Sequence, residues 1–377
     1  MKGIILLSTL AILTIGCKKK DQAKQEKTKS ETKNMYSTFA DYETTPVKSA
    51  DGEDAADDPA IWIHPEDVNK STIIGSNKKA GIVVYNLKGE ELYFYPTGNV
   101  NNVDVTYNFN LNGDKIDLVG GSNRTLQSIT LHKINPETGE LSAINKDTIQ
   151  PAVDEVYGFC FYKNTSNGQY YAFVNGKDGK VEQYKMLPTK DDMIKFELVR
   201  NFQLESQVEG MVADYEKQLL YIGEENVGVW QYGANPDDGE TRKFIPLTDS
   251  TNPNIEYDIE GITLYYAANQ EGYLLVSSQG NFTYAVFDRN THDYLGSFKI
   301  EKKHIDGSEE TDGIDVTNVA LGGIFPKGFF IAQDGFNHEG EALSTQNFKI
   351  LAWPKIAKSF PENLAMDTTF NLRDFTK

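Results

Sequence analysis

In the stretch GEDAADDPAIWIHP (52–65), Glu53, Asp54, Asp57 and Asp58 run straight into an apolar segment, and NKK at 77–79 places Lys78 and Lys79 after the next apolar run. Carboxylates at the start of one strand and ammonium groups at the end of the next suit a multiply charged anion: oxygens to hold metal ions, and cations to grip phosphate. The pairing recurs down the chain. Acids return as Glu209 in VEGM, Asp258 and Glu260 in DIEG, and Asp306 and Asp312 in DGSEETDGID. Bases return as Arg124 in SNR and Lys177 in NGK, with Tyr157, Glu224, Glu225, Gln279 and Asp334 at comparable places.

Any one of these acids is most simply a turn carboxylate in water, and any one base a surface ion pair of little weight. Convergence on one mouth is different, because clustered carboxylates repel unless cations lie between them. Carboxylate, amide and carbonyl oxygens with almost no Cys favour calcium over zinc, and several ions are expected. Such ions bridge phosphate oxygens and lower the pKa of a bound water, which suits phosphate ester hydrolysis. DGSEETDGID lacks the spacing of an EF-hand, so its acids count only as mouth ligands. Other phosphatase chemistries find no footing. None of the five His stands in an R-H-G-x-R-x-P arrangement, Cys160 has Ser166 where an Arg would be needed, and there is no P-loop or G-x-S-x-G elbow. The net charge of −18 argues against a nucleic-acid partner.

The elements that must carry these residues are short apolar or alternating runs bounded by Gly, Asn and Asp, the signature of strands. One run appears six times: TIIGSNKKAGIVVYNL, LVGGSNRTLQSITLHKI, YAFVNGKDGKVEQYKM, LYIGEENVGVWQYG, LLVSSQGNFTYAVFDR, and FFIAQDGFN with FKILAWPKI. Markers at Ile73, Leu118, Ala172, Tyr221, Leu275 and Phe330 are 45 to 55 residues apart. A second element precedes each copy, marked by Asp58, Asn102, Tyr157, Glu209, Glu260 and Asp312 at intervals of 44 to 55. Six such repeats, with about four strands each, predict an all-β six-bladed β-propeller with four-stranded antiparallel blades over 40–377. A pair of β-sandwiches would not account for two families of markers in step. If the second element is the innermost strand of its blade, its start lies beside the end of the next strand. Asp57, Asp58, Tyr157, Glu209, Asp258, Glu260 and Asp312 then meet Lys78, Lys79, Arg124, Lys177, Glu224, Glu225, Gln279 and Asp334 at one mouth.

Lys2, the apolar run GIILLSTLAILTIG and Cys17 after Gly16 read as a lipoprotein signal peptide over 1–16, cleaved before a lipid-bearing Cys17. Leu13 stands four residues before the cysteine rather than three, so an ordinary secretory signal is the alternative. The run is too short to cross a bilayer comfortably. The charged, apolar-poor segment 17–39 is expected to be a flexible tether. The expectation is an exported, membrane-anchored lipoprotein on the periplasmic or cell-surface side, a monomer that meets the membrane only through its lipid. Cys160 is expected to be a buried small hydrophobe.

At DAADDPAIWIHP, IIGSNKKAGIVVYNLKG, VYGFCFY, VEGMVADYEKQLLYIGEENVGVWQY, YDIEGITLYYA, LLVSSQGN and IDGSEETDGIDV, the sequence closely resembles the β-propeller phytases, calcium-dependent bacterial phosphatases of myo-inositol hexakisphosphate. The resemblance runs from about Glu43 to Trp353. It implies that Asp57, Asp58, Glu209, Glu225, Asp258, Glu260, Gln279, Asp306 and Asp312 bind calcium. It also implies that Lys78, Lys79, Arg124, Tyr157 and Lys177 contact phosphate. Glu225, Tyr157, Lys78 and Arg124 would serve catalysis, Glu225 by orienting the attacking water. The substrate is expected to arrive as its calcium complex. In GNVNNVDVTY, neutral Asn99 and Thr106 stand where family members often carry bases. Two other classes stay open: a calcium-dependent lactonase or esterase on a similar propeller, which has no need of four convergent cations, and a lipoprotein that binds a phosphate ligand without turning it over.

Overall fold

The computed structural model describes residues 34–375, so the signal peptide, Cys17 and the tether up to residue 33 lie outside the described residues. Six sheets follow one another around a ring. From the axis outward, blade one is Ala56–Trp62, Thr72–Asn77, Gly81–Asn86 and Glu91–Tyr95. Blade two is Val100–Leu111, Asp114–Asn123, Ser128–Ile134 and Leu141–Ala143. Blade three is Val156–Asn164, Gln169–Gly176, Lys180–Pro188 and Ile194–Gln203. Blade four is Val208–Asp214, Leu219–Glu224, Gly228–Gly233 and Arg242–Phe244. Blade five is Ile259–Tyr266, Gly272–Ser278, Thr283–Asp288 and Tyr294–Ile300. Blade six is Ile314–Thr317, Phe329–Asp334 and Asn347–Ala352, completed by Tyr42–Glu43 from the other end of the chain.

This is the six-bladed, four-stranded propeller that the repeats predict. Two features of it come from the N-terminal side. Tyr42 pairs with Ile350, so blade six borrows its outer strand. Met35–Thr38 adds a fifth, parallel strand to blade five, with Met35 opposite Ser297 and Thr38 opposite Ile300. Composition placed these residues in the tether. Backbone pairing makes little demand on composition, and Tyr36 anchors the strand by its ring, 4.5 Å from that of Phe360.

The apolar cores lie between blades. Cys160, Tyr162 and Phe173 of blade three, for example, share one cluster with Met211, Leu220 and Ile222 of blade four. Each inner strand is buried on both faces and packs against the next, and blade six packs against blade one. Cys160 is buried and free, as expected. The far end of the ring is crossed by the C-terminal segment. Phe370 stacks on Tyr266 at 4.9 Å, Arg373 Nε donates to the Ile63 carbonyl at 3.0 Å and its guanidinium pairs with Asp117, and Lys163 Nζ reaches the Phe375 carbonyl at 3.3 Å. His64 also belongs to that end: its Nδ1 accepts the N–H groups of Glu66 and Asp67, a turn role rather than a catalytic one.

Candidate functional site

Five inner strands open with the same irregularity. Pairing slips between Ala56 and Pro59, Val100 and Val103, Val156 and Phe159, Val208 and Met211, and Ile259 and Ile262. At such a β-bulge two residues face one, which re-aims side chains and ends regular pairing. The first residue of each bulge is Asp57, Asn101, Tyr157, Glu209 or Glu260, and Asp312 holds the corresponding place before the inner strand of blade six. The sequence markers Asp58 and Asn102 are therefore one residue late. In blades one and two the dipeptides are Asp-Asp and Asn-Asn, which offer no contrast to fix the phase; in blades three to six a Gly follows the site residue. Register completes the arrangement. Ala56, Val100, Val156, Val208 and Ile259 pair with Asn77, Asn123, Gly176, Glu224 and Ser278. The residues that follow those partners are Lys78, Arg124, Lys177, Glu225 and Gln279, which emerge beside the bulges.

The glycines are there because the next blade leaves no room for a Cβ. At Gly261 a Cβ would lie 2.6 Å from the Asp312 oxygen and 2.7 Å from the Ile314 nitrogen, and at Gly158 and Gly210 the neighbouring carbonyls of Glu209 and Glu260 would be closer still. The N–H of Gly261 donates to the Asp312 carbonyl at 2.7 Å, and that of Gly313 to the Asp57 carbonyl at 2.9 Å. Asn175 Nδ2 donates to the Glu209 carbonyl at 2.9 Å. From blade three round to blade one, site residues of adjacent blades thus stand on a hoop of touching backbones. Asp58 occupies the glycine position of blade one and lies beneath the rim. Its Oδ2 accepts the Val103 N–H at 3.1 Å, and it lines the channel with Asp104 and Asp315. Burial, then the charge of Asp57, pushes its carboxyl well above the usual range.

Glu209, Glu225 and Glu260 form the acid side, each with an oxygen within 4.8 Å of the others. Burial, followed by the charges of Asp57 and Asp312, raises the Glu209 carboxyl. Burial and then Glu209 raise that of Glu260. Burial lifts Glu225 to about 7, against the hydrogen bond that Gln207 Nε2 donates to it at 2.7 Å. Asp312, which accepts from Gln279 Nε2 at 2.7 Å, is lifted by burial to about 7. Asp258 is half-buried, and its charge is among those that raise Glu225. Glu260 Oε2 and Asp57 Oδ2 are buried with no hydrogen-bond partner. Close, buried carboxylates short of donors fit a hard cation that takes about six to eight oxygens.

Lys78 lies against this side. Its Nζ is 2.7 Å from Asp54, 2.9 Å from Asp57 and 2.7 Å from Asp312, so its protons are taken up by carboxylates. Burial alone would lower its pKa, but Asp57, Asp312 and Asp54 outweigh it and hold the ammonium charged. The basic patch itself is Arg124, Lys177 and Tyr157. Arg124 pairs with Glu155 and donates to Asn101 Oδ1 at 3.2 Å, and Lys177 Nζ is 3.4 Å from Glu155. Both cations lie over the Tyr157 ring, Lys177 at 4.8 Å and Arg124 at 5.9 Å. The charge of Glu209, then burial, pushes the Tyr157 pKa up and keeps the phenol protonated. Asn101 Nδ2 joins the two sides by donating to Glu209 Oε1 at 2.7 Å. Lys79 is exposed at the rim, 3.8 Å from Glu53.

Besides Asp58, three expected mouth acids are elsewhere. Glu224 is fully buried and accepts from Ser206 Oγ and Trp230 Nε1, each at 2.7 Å, on the strand face opposite Glu225. Asp306 and Asp334 are bound by the Lys349 ammonium within blade six. Asp306 and Asp334 therefore lie apart from the mouth. Thr106 is buried inside its strand, and Asn99 contributes its carbonyl to the Arg124 N–H at 2.7 Å. Sequence reasoning named Asp54 in its cluster without foreseeing its pairing with Lys78, and missed Asn101, Glu155 and Gln207. A signal existed for the last three. Asn101 is the bulge residue of blade two, and Glu155 and Gln207 stand two places before a bulge residue, as Asp258 does.

The chain is similar to known proteins. The family model described as Phytase matches residues 3–377. The chain is 43% identical over 333 residues to the 3-phytase of Bacillus subtilis (strain 168), covering 87% of this chain and 86% of that protein. A crystallised protein of unknown function from Bacteroides thetaiotaomicron VPI-5482 superposes with a TM-score of 0.51 at 10% identity, covering 84% of this chain and 74% of that one, and shares the fold alone.

Proposed function

The chain belongs to the phytase family and is an enzyme that hydrolyses phytate, and we propose that it does so at this mouth with bound calcium. The observation that carries the proposal is the placing of Glu209, Glu225 and Glu260, with oxygens within 4.8 Å of one another, beside the cations stacked on Tyr157. Those three glutamates, flanked by Asp57 and Asp312, would hold the ion. Calcium, when bound, would screen the carboxylates, draw phosphate oxygens inward and lower the pKa of a water. Arg124 and Lys177 bind the phosphate to be cleaved, exchanging Glu155 for its oxygens. The protonated Tyr157 phenol donates a hydrogen bond to the same group. Glu225, steadied by Gln207, accepts a hydrogen bond from the attacking water and aligns it. Lys78 reaches phosphate by releasing Asp54, the partner that is 68% exposed, while it keeps Asp57 and Asp312 from driving the mouth apart. Lys79 meets an outer phosphate at the rim. The products are phosphate and lower inositol phosphates.

The test is phosphate release from inositol hexakisphosphate in calcium and in excess chelator, with the melting temperature followed in parallel. A ion bound only by the folded state raises that temperature by mass action. Loss of both rate and thermal stability in chelator is expected, and an unchanged rate and melting temperature would refute the calcium reading. We further propose export as a monomer anchored by lipid on Cys17. Fatty-acid labelling of the native chain but not of Cys17→Ala is the expected result.

A further inference from the structure

Glu155 stands two residues ahead of Tyr157, an acid among the groups that grip phosphate. One of its oxygens is shared by both cations of the basic patch: Oε1 pairs with the Arg124 guanidinium and lies 3.4 Å from Lys177 Nζ. An anionic oxygen between an Arg and a Lys, with both cations over the Tyr157 ring, has the place a phosphate oxygen would take. Oε1 is buried without a hydrogen-bond partner, so the two charges are what hold it there. The backbone on either side is fixed. Gln127 Nε2 donates to the Val153 and Asp154 carbonyls at 3.1 and 3.2 Å, and Gln127 Oε1 accepts the Val156 N–H at 3.2 Å. Arg124 is steadied in its turn by Asn101 Oδ1 at 3.2 Å. The Glu155 side chain, 37% exposed, has water to swing into, whereas the Asp57 and Asp312 carboxylates on Lys78 are buried.

We infer that Glu155 is a competitor for phosphate built into the chain, which sets how tightly the basic patch holds its ligands and returns to Arg124 and Lys177 as phosphate leaves. The inference rests on phosphate binding at those two cations. Two anions repel too strongly to share them, so a bound phosphate expels the carboxylate. A patch that must first be vacated binds every phosphate ligand more weakly by one common factor. Inositol hexakisphosphate still binds, because its other phosphates meet Lys78 and Lys79. Inorganic phosphate, the product, has fewer contacts and is let go. The test measures KM for inositol hexakisphosphate and the inhibition constant of inorganic phosphate, at fixed free calcium and in solutions checked for precipitate. It compares the native protein with Glu155→Gln, Glu155→Ala and Arg124→Ala, each verified as folded by its melting temperature. Removing two half-exposed ion pairs changes affinity by about three- to tenfold, so both Glu155 variants should lower both constants together by that factor. A Glu155 that only props the patch in place would raise them instead, and unchanged or raised constants overturn the inference. Arg124→Ala tests the reading beneath it and should raise both constants. If it changes neither, phosphate does not bind at Arg124, and that placement fails along with the competitor. If it raises them while the Glu155 variants do not lower them, the competitor alone fails.

Discussion

Gly261→Ala tests whether the backbone hoop sets the distances between site carboxylates. The added methyl would stand 2.6 Å from the Asp312 oxygen and 2.7 Å from the Ile314 nitrogen, both backbone atoms that cannot swing aside. An unstrained carbon-to-oxygen contact is about 3.3 Å, so the inner strands of blades five and six must part by roughly 0.7 Å. That movement lengthens the 2.7 Å hydrogen bond between them and carries Glu260 away from Asp312. Overpacking of this kind costs about 1–3 kcal/mol of stability. A misplacement approaching 1 Å in catalytic geometry costs on the order of a hundredfold in rate, so a fall in kcat of between about tenfold and a hundredfold is expected. The assay is steady-state phosphate release under saturating calcium, at a temperature where the variant remains folded by circular dichroism. Gly323→Ala is the control, since a Cβ there meets nothing within 4 Å. If Gly261→Ala keeps the native kcat and calcium-dependent melting, the hoop does not position the site.

Glu225→Gln should lower kcat by about 10²–10⁴ with little change in KM, because its work is done on the attacking water. Arg124→Ala should mainly raise KM, by the roughly 1.5–3 kcal/mol of one charge-assisted contact; the reverse pattern in steady-state kinetics would exchange the two roles. Initial rate against free calcium should rise and then fall, as ions first fill the mouth and then cover the phosphate oxygens that Lys78, Arg124 and Lys177 must reach. A flat plateau, with soluble substrate verified, would rule out the second effect. Burial lowers the pKa of His132 to about 4. Above an unfolded-state value of about 6.5 both states are neutral; as pH falls towards 4 the unfolded chain takes up a proton that the folded one refuses, and up to about 3 kcal/mol of stability is lost. Denaturant unfolding of His132→Gln should therefore show its deficit against the native protein narrowing from pH 7 to pH 4, and a constant deficit would contradict the buried neutral imidazole.

The repeat period and the strand-end chemistry made the ring and its mouth legible, because each blade writes the same pattern of apolar strand and turn. Lys78, Arg124, Lys177, Glu225 and Gln279 were readable since antiparallel pairing alone puts them beside the inner-strand starts. Phase within Asp57-Asp58 and Asn101-Asn102 was not, for two like residues hide which one the bulge turns inward. Asp306 was misplaced because its loop has no strand period to fix its direction, and it lies six positions before Asp312. Lys349 in FKILAW looks like an outward charge on an alternating strand; only the packing of Glu43, Asp306 and Asp334 around it shows otherwise. The division of cations was equally hidden. Lys78 and Arg124 have the same position in their blades, yet Lys78 is enclosed by three carboxylates while Arg124 pairs with one, Glu155, and lies over the Tyr157 ring, a difference made by the adjacent blades.

The borrowed strand of blade six has a consequence for how the protein is made. Glu43 and Asn347, hydrogen-bonded neighbours in the folded sheet, are 304 residues apart in the chain. Closing a loop of that length costs about 5 kcal/mol of chain entropy, repaid only once the whole sheet has formed. During synthesis Tyr42–Glu43 waits without its partner until Asn347–Ala352, the last strand among the described residues, emerges. Until then both ends of the incomplete ring present open strand edges, the usual starting points for association between unfinished chains. Gly313 of the last blade closes on Asp57 of the first. A growing chain with five blades therefore lacks Asp312 and the backbone contact that sets it beside blade one.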